Sequence, residues 1–161
     1  MRPRVAVIMG GYTSEHNISM KSGAVVMSHI DRDAYEVFPV HINKEVWLAK
    51  INGNWKPIDI SDFSCDDIKF DVVIALGSIN FGSTDKVFAE LEKAVSLCTS
   101  KAVMFFRVNP GHQHDKPEAK WITFYPWNSN FIMNCADYFN VDVLDLRNDS
   151  NNRMYFVWRT K

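Results

Sequence analysis

The sequence predicts an α/β fold: a three-layer sandwich with a mostly parallel sheet, an antiparallel last strand and an added β-hairpin. Short apolar runs of strand length alternate with segments of helical periodicity. The run at residues 70–78 is apolar on both faces, as expected in the middle of a parallel sheet. The last two strand-like segments are joined by the short, turn-rich link 148–152, which implies an antiparallel pair.

The composition fits a single domain over residues 1–161, since 47% of the residues are hydrophobic. No apolar run approaches the ~18 residues of a membrane span, so we expect a cytoplasmic protein without a membrane partner. Eighteen basic and nineteen acidic residues leave a net charge of -1, which predicts no nucleic-acid partner. Three widely spaced cysteines suggest no disulfide framework.

The chain opens with a predicted strand at residues 4–9 that ends in Gly10 and Gly11. A helix is predicted to follow from Ser14 to about Ile30, because Ser14 can accept a hydrogen bond from the first-turn amides. Helical spacing predicts an apolar stripe that packs on the sheet. Its residues are Ile18, Ala24 and Val25.

A second strand is predicted at residues 35–42, parallel to the first, because the helix between them favours a right-handed crossover. A hairpin follows, with strands at 45–51 and 54–58. Its turn is Asn52-Gly53, and both residues tolerate the positive φ of a type I′ turn.

In the second half of the sequence, helices are predicted at residues 86–98 and 128–139. Strands are predicted at 102–108, 141–147 and 153–160. Asn128 is predicted to cap the second of these helices. Glu90 falls on the predicted solvent side of the first. The expected sheet order is second strand, first strand, central strand, the strand at 102–108, the last strand and the strand at 141–147.

Ligands of such sheets bind beyond the carboxyl ends of the strands. No catalytic residue can be argued from spacing. The candidate ligand-binding residues at these ends are Gly10, Gly11, Ser14, Glu15, Gly77, Ser78 and Asn80. The first four could form an anion or amino-acid site at a helix N-terminus, or only a turn and a cap. Ser78 and Asn80 could contact a ligand, or they could simply be the polar residues that any strand end needs.

Histidines and aromatic residues give weaker signals. The segment His112-Gln113-His114-Asp115 lacks a clear third ligand, so no metal is expected. The other histidines, His16, His29 and His41, are scattered along the chain. The aromatic group Trp121, Phe124, Tyr125 and Trp127 is predicted to pack between helix and sheet, in the absence of a basic groove for bases.

The loop Gly10-Gly11 followed by Ser14-Glu15-His16 and Ser19 resembles the N-terminal domain of D-alanine-D-alanine ligases, whose hallmark is a GG-x-S-S/T-E-H-x-x-S loop. The resemblance covers about residues 4–73. It implies that Glu15 matches the glutamate that helps hold the first D-alanine. The family's third strand leads into a histidine-glycine loop, whereas this chain has Leu76-Gly77-Ser78, and ligase activity is not expected.

Residues from about 70 to 161 resemble the second half of class I S-adenosylmethionine-dependent methyltransferases, on the strand 71–78, the strand end Arg107-Val108-Asn109-Pro110 and the antiparallel last strand. The resemblance implies a Rossmann-like fold. The first half lacks that family's G-x-G-x-G turn, and its second strand ends His41-Ile42-Asn43 without the acid that binds ribose.

Two partial resemblances that meet at one strand are what recombination of two Rossmann-like proteins would produce. The favoured interpretation is an engineered or recombined chimera, a scaffold without intact catalytic activity and without a cofactor. One alternative is a methyltransferase that binds S-adenosylmethionine through an atypical loop. Another is a small-ligand-binding module derived from the ligase domain. A small-molecule ligand is possible, and the chain is expected to be a monomer or weak homodimer.

Overall fold

The computed structural model describes residues 1–11, 16–43, 46–58, 69–80, 82–110 and 125–161. In chain order the elements are β1 Arg4–Gly10, α1 His16–His29, β2 Glu36–Asn43, β3 Val46–Ile51, β4 Asn54–Ile58, β5 Phe70–Leu76, α2 Thr84–Ser96, β6 Cys98–Val108, α3 Ser129–Tyr138, β7 Val141–Asn148 and β8 Met154–Thr160.

All described strands belong to one sheet, in the order β4-β3-β2-β1-β5-β6-β8-β7. The predicted order from the second strand to β7 is confirmed. The hairpin β3–β4 extends the sheet beyond β2, because β3 pairs with the edge of β2 that β1 leaves free. At its turn Asn52 and Gly53 have φ values of 51° and 82°, as the Asn-Gly signal predicts.

The prediction of a mostly parallel sheet is wrong for the sheet as a whole. In the described part, β1 pairs in parallel with β2 and β5, and β5 with β6. The remaining pairings, β2 with β3, β3 with β4, β6 with β8 and β7 with β8, are antiparallel. The sheet is therefore mixed. Antiparallel strands at both edges surround a parallel centre, and the predicted strand order does not include the first hairpin.

Helices cover the two faces of the sheet unequally. Helices α2 and α3 pack on one face, over a core that includes Phe106, Phe156 and Trp158. On the other face, α1 packs mainly over β1. Farther along that face, Phe105 and Val157 lie in one cross-strand row with Ile74 and are only half-buried. The predicted three layers of helix, sheet and helix are therefore present where α1 covers the sheet.

Helix α1 does not use the predicted apolar stripe. Ile18 and Val25 are 55% and 57% exposed, whereas the buried residues of the helix are Ser19 and Gly23. The Ser19 hydroxyl oxygen accepts a hydrogen bond from the Gly10 amide at 3.1 Å. These two small residues lie closest to the sheet, and the half-buried Met20, Val26, Met27 and Ile30 pack around them. The small residues leave no hydrophobic signal in the sequence.

Gly23→Ala should destabilise the protein, although alanine favours a helix by about 1 kcal/mol over glycine. A Cβ on Gly23 would lie 2.9 Å from Cβ of Met9 and 2.8 Å from its Cε, so α1 must move away from β1. We expect a loss of roughly 1–3 kcal/mol in the free energy of unfolding, measured with urea. The exposed Lys21→Ala in the same helix should change it by less than about 0.5 kcal/mol. Equal values for both variants would contradict the close packing.

Glu90 lies in the core rather than on the predicted solvent side of its helix. It is 4% exposed, and its Oε1 accepts no hydrogen bond from the described residues. Burial raises the pKa of the Glu90 carboxyl to about 7, although Lys86 and Lys93 each act to lower it. Glutamate is rarely fully buried, so a glutamate in a helical pattern is normally predicted to face solvent. This explains why the burial of Glu90 was not predicted.

Glu90→Gln should stabilise the protein by an amount that depends on pH. Below the ordinary carboxyl pKa of 4.5, folded and unfolded states both hold the proton, and the substitution changes little. Between there and about pH 7 only the unfolded state loses its proton, so the wild type is progressively destabilised relative to the variant. Urea unfolding at pH 4 to 8 should show a gain that reaches roughly 1–3 kcal/mol above pH 7. The control is Glu92→Gln at an exposed position of the same helix, which should change the free energy of unfolding by less than about 0.5 kcal/mol. A flat Glu90→Gln profile would contradict the burial.

Candidate functional site

Most of the predicted ligand-binding residues meet at the carboxyl edge of the sheet. Gly10 and Gly11 end β1, while Gly77 and Ser78 follow the neighbouring β5. A Cβ on Gly11 would lie 3.6 Å from the Ser78 carbonyl oxygen, so the two turns are in contact. The predicted residues Ser14 and Glu15 lie outside the described residues.

Packing within the sheet, and not space for a ligand, explains the glycine at position 10. Its φ is +95°, and a Cβ there would lie 2.5 Å from the Ile42 carbonyl oxygen and 2.6 Å from the His41 ring. The next amide, that of Gly11, donates to the same Ile42 oxygen at 3.0 Å. Any side chain at position 10 would therefore push β2 away from β1.

Ser78 and Asn80 are buried and bonded inside the protein. Ser78 is 3% exposed and donates its hydroxyl to the Ile8 carbonyl at 3.3 Å. Asn80 is 0% exposed: its Nδ2 donates to the Gly77 carbonyl at 3.3 Å, and its Oδ1 accepts from the Asn109 amide at 3.1 Å. The Asn80 carbonyl accepts from the Tyr125 amide at 2.8 Å. These contacts tie the loops after β5 and β6 together.

The aromatic residues in the described part of the predicted group belong to the core. Tyr125 and Trp127 are 6% and 3% exposed, which confirms their predicted packing role. Trp121 and Phe124 lie outside the described residues, as does the segment His112-Gln113-His114-Asp115. The described residues contain no group of three or more histidine, cysteine, aspartate or glutamate side chains that could hold a metal ion.

Neither described cysteine is activated as a nucleophile. Burial raises the pKa of the Cys98 thiol to about 12 and that of Cys135 to about 11. Both thiols therefore stay protonated at neutral pH, and a thiol without its thiolate is a poor nucleophile.

The structure brings together two histidines that sequence reasoning left apart. His16 is the first residue of α1, and His41 lies near the end of β2. Their Nε2 atoms are 3.4 Å apart, and Nδ1 of His16 donates to the Gly11 carbonyl at 3.1 Å. Burial, followed by the nearby His16, lowers the pKa of His41. The predicted topology could have revealed this contact. Strands β1 and β2 are parallel neighbours, and each histidine lies at or after the carboxyl end of one of them.

A cleft of about 570 Å³ opens at the opposite, amino-terminal edge of the sheet. It is lined by Met1, Arg2, Pro3, Arg4, Lys69, Asp71 and Thr99. Asp71 accepts hydrogen bonds there from the Arg4 amide at 2.8 Å and the Thr99 hydroxyl at 3.0 Å. Its carboxylate therefore links strands β1, β5 and β6.

Comparison with known proteins accounts for the first half of the chain. A family model described as the D-ala D-ala ligase N-terminus matches residues 4–94, more than half of the 161 residues. The chain belongs to this family. The predicted resemblance is confirmed and runs past its expected end at residue 73, through β5 and most of α2.

Two curated relatives are the D-alanine--D-alanine ligases of Flavobacterium psychrophilum and Flavobacterium johnsoniae. The first is 42% identical over 74 residues, which are 44% of this chain and 23% of the relative. The second is 45% identical over 74 residues, 43% of this chain and 23% of the relative. The match thus spans about a quarter of the length of these ligases.

Solved structures resemble the fold over the whole chain. A SAM-dependent methyltransferase from Methanosarcina mazei matches with a TM-score of 0.61 and 11% identity, over 99% of this chain and 92% of that one. The magnesium protoporphyrin IX methyltransferase of Synechocystis, solved with bound SAM, matches with a TM-score of 0.58 and 13% identity, over 99% and 71%. The fold is therefore that of these methyltransferases, with the ligase-family segment as its first half. In the described part of the chain, no helix is long and apolar enough to cross a membrane.

Asn80→Ala should destabilise the fold, because it leaves the buried Asn109 amide without its acceptor. We expect a loss of roughly 1–3 kcal/mol in the free energy of unfolding, measured with urea. The matched control is Asn134→Ala at an exposed position in α3, which should change stability by less than about 0.5 kcal/mol. If Asn80→Ala were as stable as the control, the side chain would be available to a ligand rather than required by the loops.

Proposed function

We propose that this chain is a recombined Rossmann-like scaffold domain, in which a ligase N-terminal unit supplies the first half of a methyltransferase-like sheet, and that it has no intact catalytic activity. The observation that carries the proposal is the internal bonding of the carboxyl edge. The side chains of Ser19, Ser78 and Asn80 are bonded to backbone groups of the protein itself. In an enzyme of this architecture, groups at this edge would face the ligand.

The family match supports the same proposal. Residues 4–94 match the N-terminal part of the ligase family. The two Flavobacterium ligases are about four times as long as the 74 residues that align with this chain. The ligases' activity belongs to those whole proteins. In this chain the family segment instead completes a single sheet with β6, β7 and β8. We infer that its contribution here is structural.

A second candidate function is binding of S-adenosylmethionine, favoured by the likeness to methyltransferase structures, one of them solved with bound SAM. The carboxyl ends of β1, β2 and β5, with Gly10, Gly11 and Gly77 in positive φ, are where such a ligand would lie. Strand β2 ends His41-Ile42-Asn43, without the acidic residue that would bind the ribose, which weakens this candidate.

Calorimetric titration of the folded chain with S-adenosylmethionine, S-adenosylhomocysteine and D-alanine separates these functions. We expect no saturable heat with any of them, while cooperative thermal unfolding shows that the protein is intact. Saturable micromolar binding of either adenosyl compound would overturn the scaffold proposal in favour of the second candidate. Binding of D-alanine that is lost in Glu15→Ala would instead identify a small-ligand module inherited from the ligase family.

A further inference from the structure

The paired histidines have the geometry of two ligands to one metal ion. Their Nε2 atoms are 3.4 Å apart. A tetrahedral zinc ion bound at about 2.0–2.1 Å by two imidazole nitrogens holds those nitrogens about 3.3–3.4 Å apart. The ring centroids are 5.0 Å apart, farther than the Nε2 atoms, so each Nε2 lies on the side of its ring that faces the other histidine.

The hydrogen bonding of His16 leaves the correct nitrogen available. A carbonyl oxygen can only accept, so the 3.1 Å contact to Gly11 places the ring hydrogen on Nδ1 of His16. Nε2 of the neutral ring then carries a lone pair directed at His41. Histidine ligands in metal sites usually donate their second nitrogen to a carbonyl or carboxylate in this way, which fixes the tautomer and the ring orientation.

Without a metal, the two rings can share one proton between the Nε2 atoms, with His41 as donor and His16 as acceptor. A divalent ion would bind both Nε2 atoms in place of that proton. The proton would leave Nε2 of His41 and pass to Nδ1 of the same ring or to water. We propose that His16 and His41 form a binding site for a borderline transition-metal ion of the zinc, nickel or copper class, with water completing the coordination. Imidazole nitrogens suit these ions, whereas magnesium and calcium prefer oxygen ligands.

The surroundings allow an ion to enter and hold the rings in place. Both histidines are half-buried, and Trp55, 46% exposed, lies beside His41 with ring centroids 6.0 Å apart. Gly10 has no side chain, which leaves room for the His41 ring 2.6 Å from where a Cβ would be. The first turn of α1 carries a partial positive charge that disfavours a cation, but this effect is small beside coordination by two nitrogens.

Zinc titration of the full chain by calorimetry tests the site, with no other ligand present. We expect one saturable zinc site, and we expect His16→Gln and His41→Gln each to weaken it at least roughly tenfold, the lower end of what the loss of even an outer-shell partner costs. The matched control is His29→Gln, at the other end of α1, where the ring is exposed and bonds the Val25 carbonyl of its own helix. This variant should bind zinc as the wild type does.

A second readout does not depend on any variant folding. Nitrogen NMR of the wild-type imidazole rings should show zinc-dependent shifts at Nε2 of His16 and His41, while Nδ1 of His16 keeps its hydrogen. Copper should also quench the fluorescence of the neighbouring Trp55, and Trp55→Phe should remove that part of the quenching. Zinc binding that is unchanged in His16→Gln and His41→Gln, or lost only in the double variant His112→Gln/His114→Gln, would overturn the proposal. Unshifted Nε2 resonances at saturating zinc would overturn it too.

Discussion

Strand β5 holds the two halves of this protein in one sheet. It pairs in parallel with β1 of the ligase-family segment on one side and with β6 on the other. The carboxylate of Asp71 reinforces both pairings, because it accepts hydrogen bonds from the Arg4 amide and the Thr99 hydroxyl. One face of this strand is buried in the core, and the other, with Val72 and Ile74, is half-buried, so apolar residues are favoured on both. The helices and loops on either side depend on this arrangement.

The residues that follow β5 also determine which polar groups at the carboxyl edge are already hydrogen-bonded. These residues turn back onto their neighbours: Ser78 bonds β1, and Asn80 bonds the loop after β6. Loops that are fixed in this way satisfy the buried polar groups, as burial requires. They also leave fewer groups to bind a ligand. The histidine pair differs, since the Nε2 atoms of two half-buried rings lie 3.4 Å from each other.

Much of the fold followed from local sequence signals. The doubly apolar β5 indicated the centre of the sheet, Asn52-Gly53 indicated the hairpin turn, and Asn128 indicated the cap of α3, where its side chain accepts from the Phe131 amide. Each of these signals acts within a few residues. The mixed character of the sheet was missed because the Asn52-Gly53 signal specifies only the pairing of β3 with β4. It does not reveal that β3 also pairs with β2, its neighbour in sequence.

The site was harder to predict because its contacts join distant elements. The predicted residues Gly10, Gly11, Gly77, Ser78 and Asn80 do come together, as the rule for strand ends requires. Their hydrogen-bond partners could not be foreseen. The packing face of α1 combines the buried Gly23 and Ser19, which carry no hydrophobic signal, with half-buried side chains such as Met20 and Met27. The meeting of His16 and His41 requires the register of β1 and β2, in which Met9 lies opposite His41.

Native-state hydrogen exchange of the full chain tests most directly whether β5 joins the two halves into one cooperative sheet. We expect backbone amides in β1, β5 and β6 to exchange through the same global opening, with equal free energies and equal denaturant dependence. If the amides of β1 opened at a clearly lower free energy than those of β6, the ligase-family segment would unfold by itself. The two halves would then be neighbours without being one folding unit.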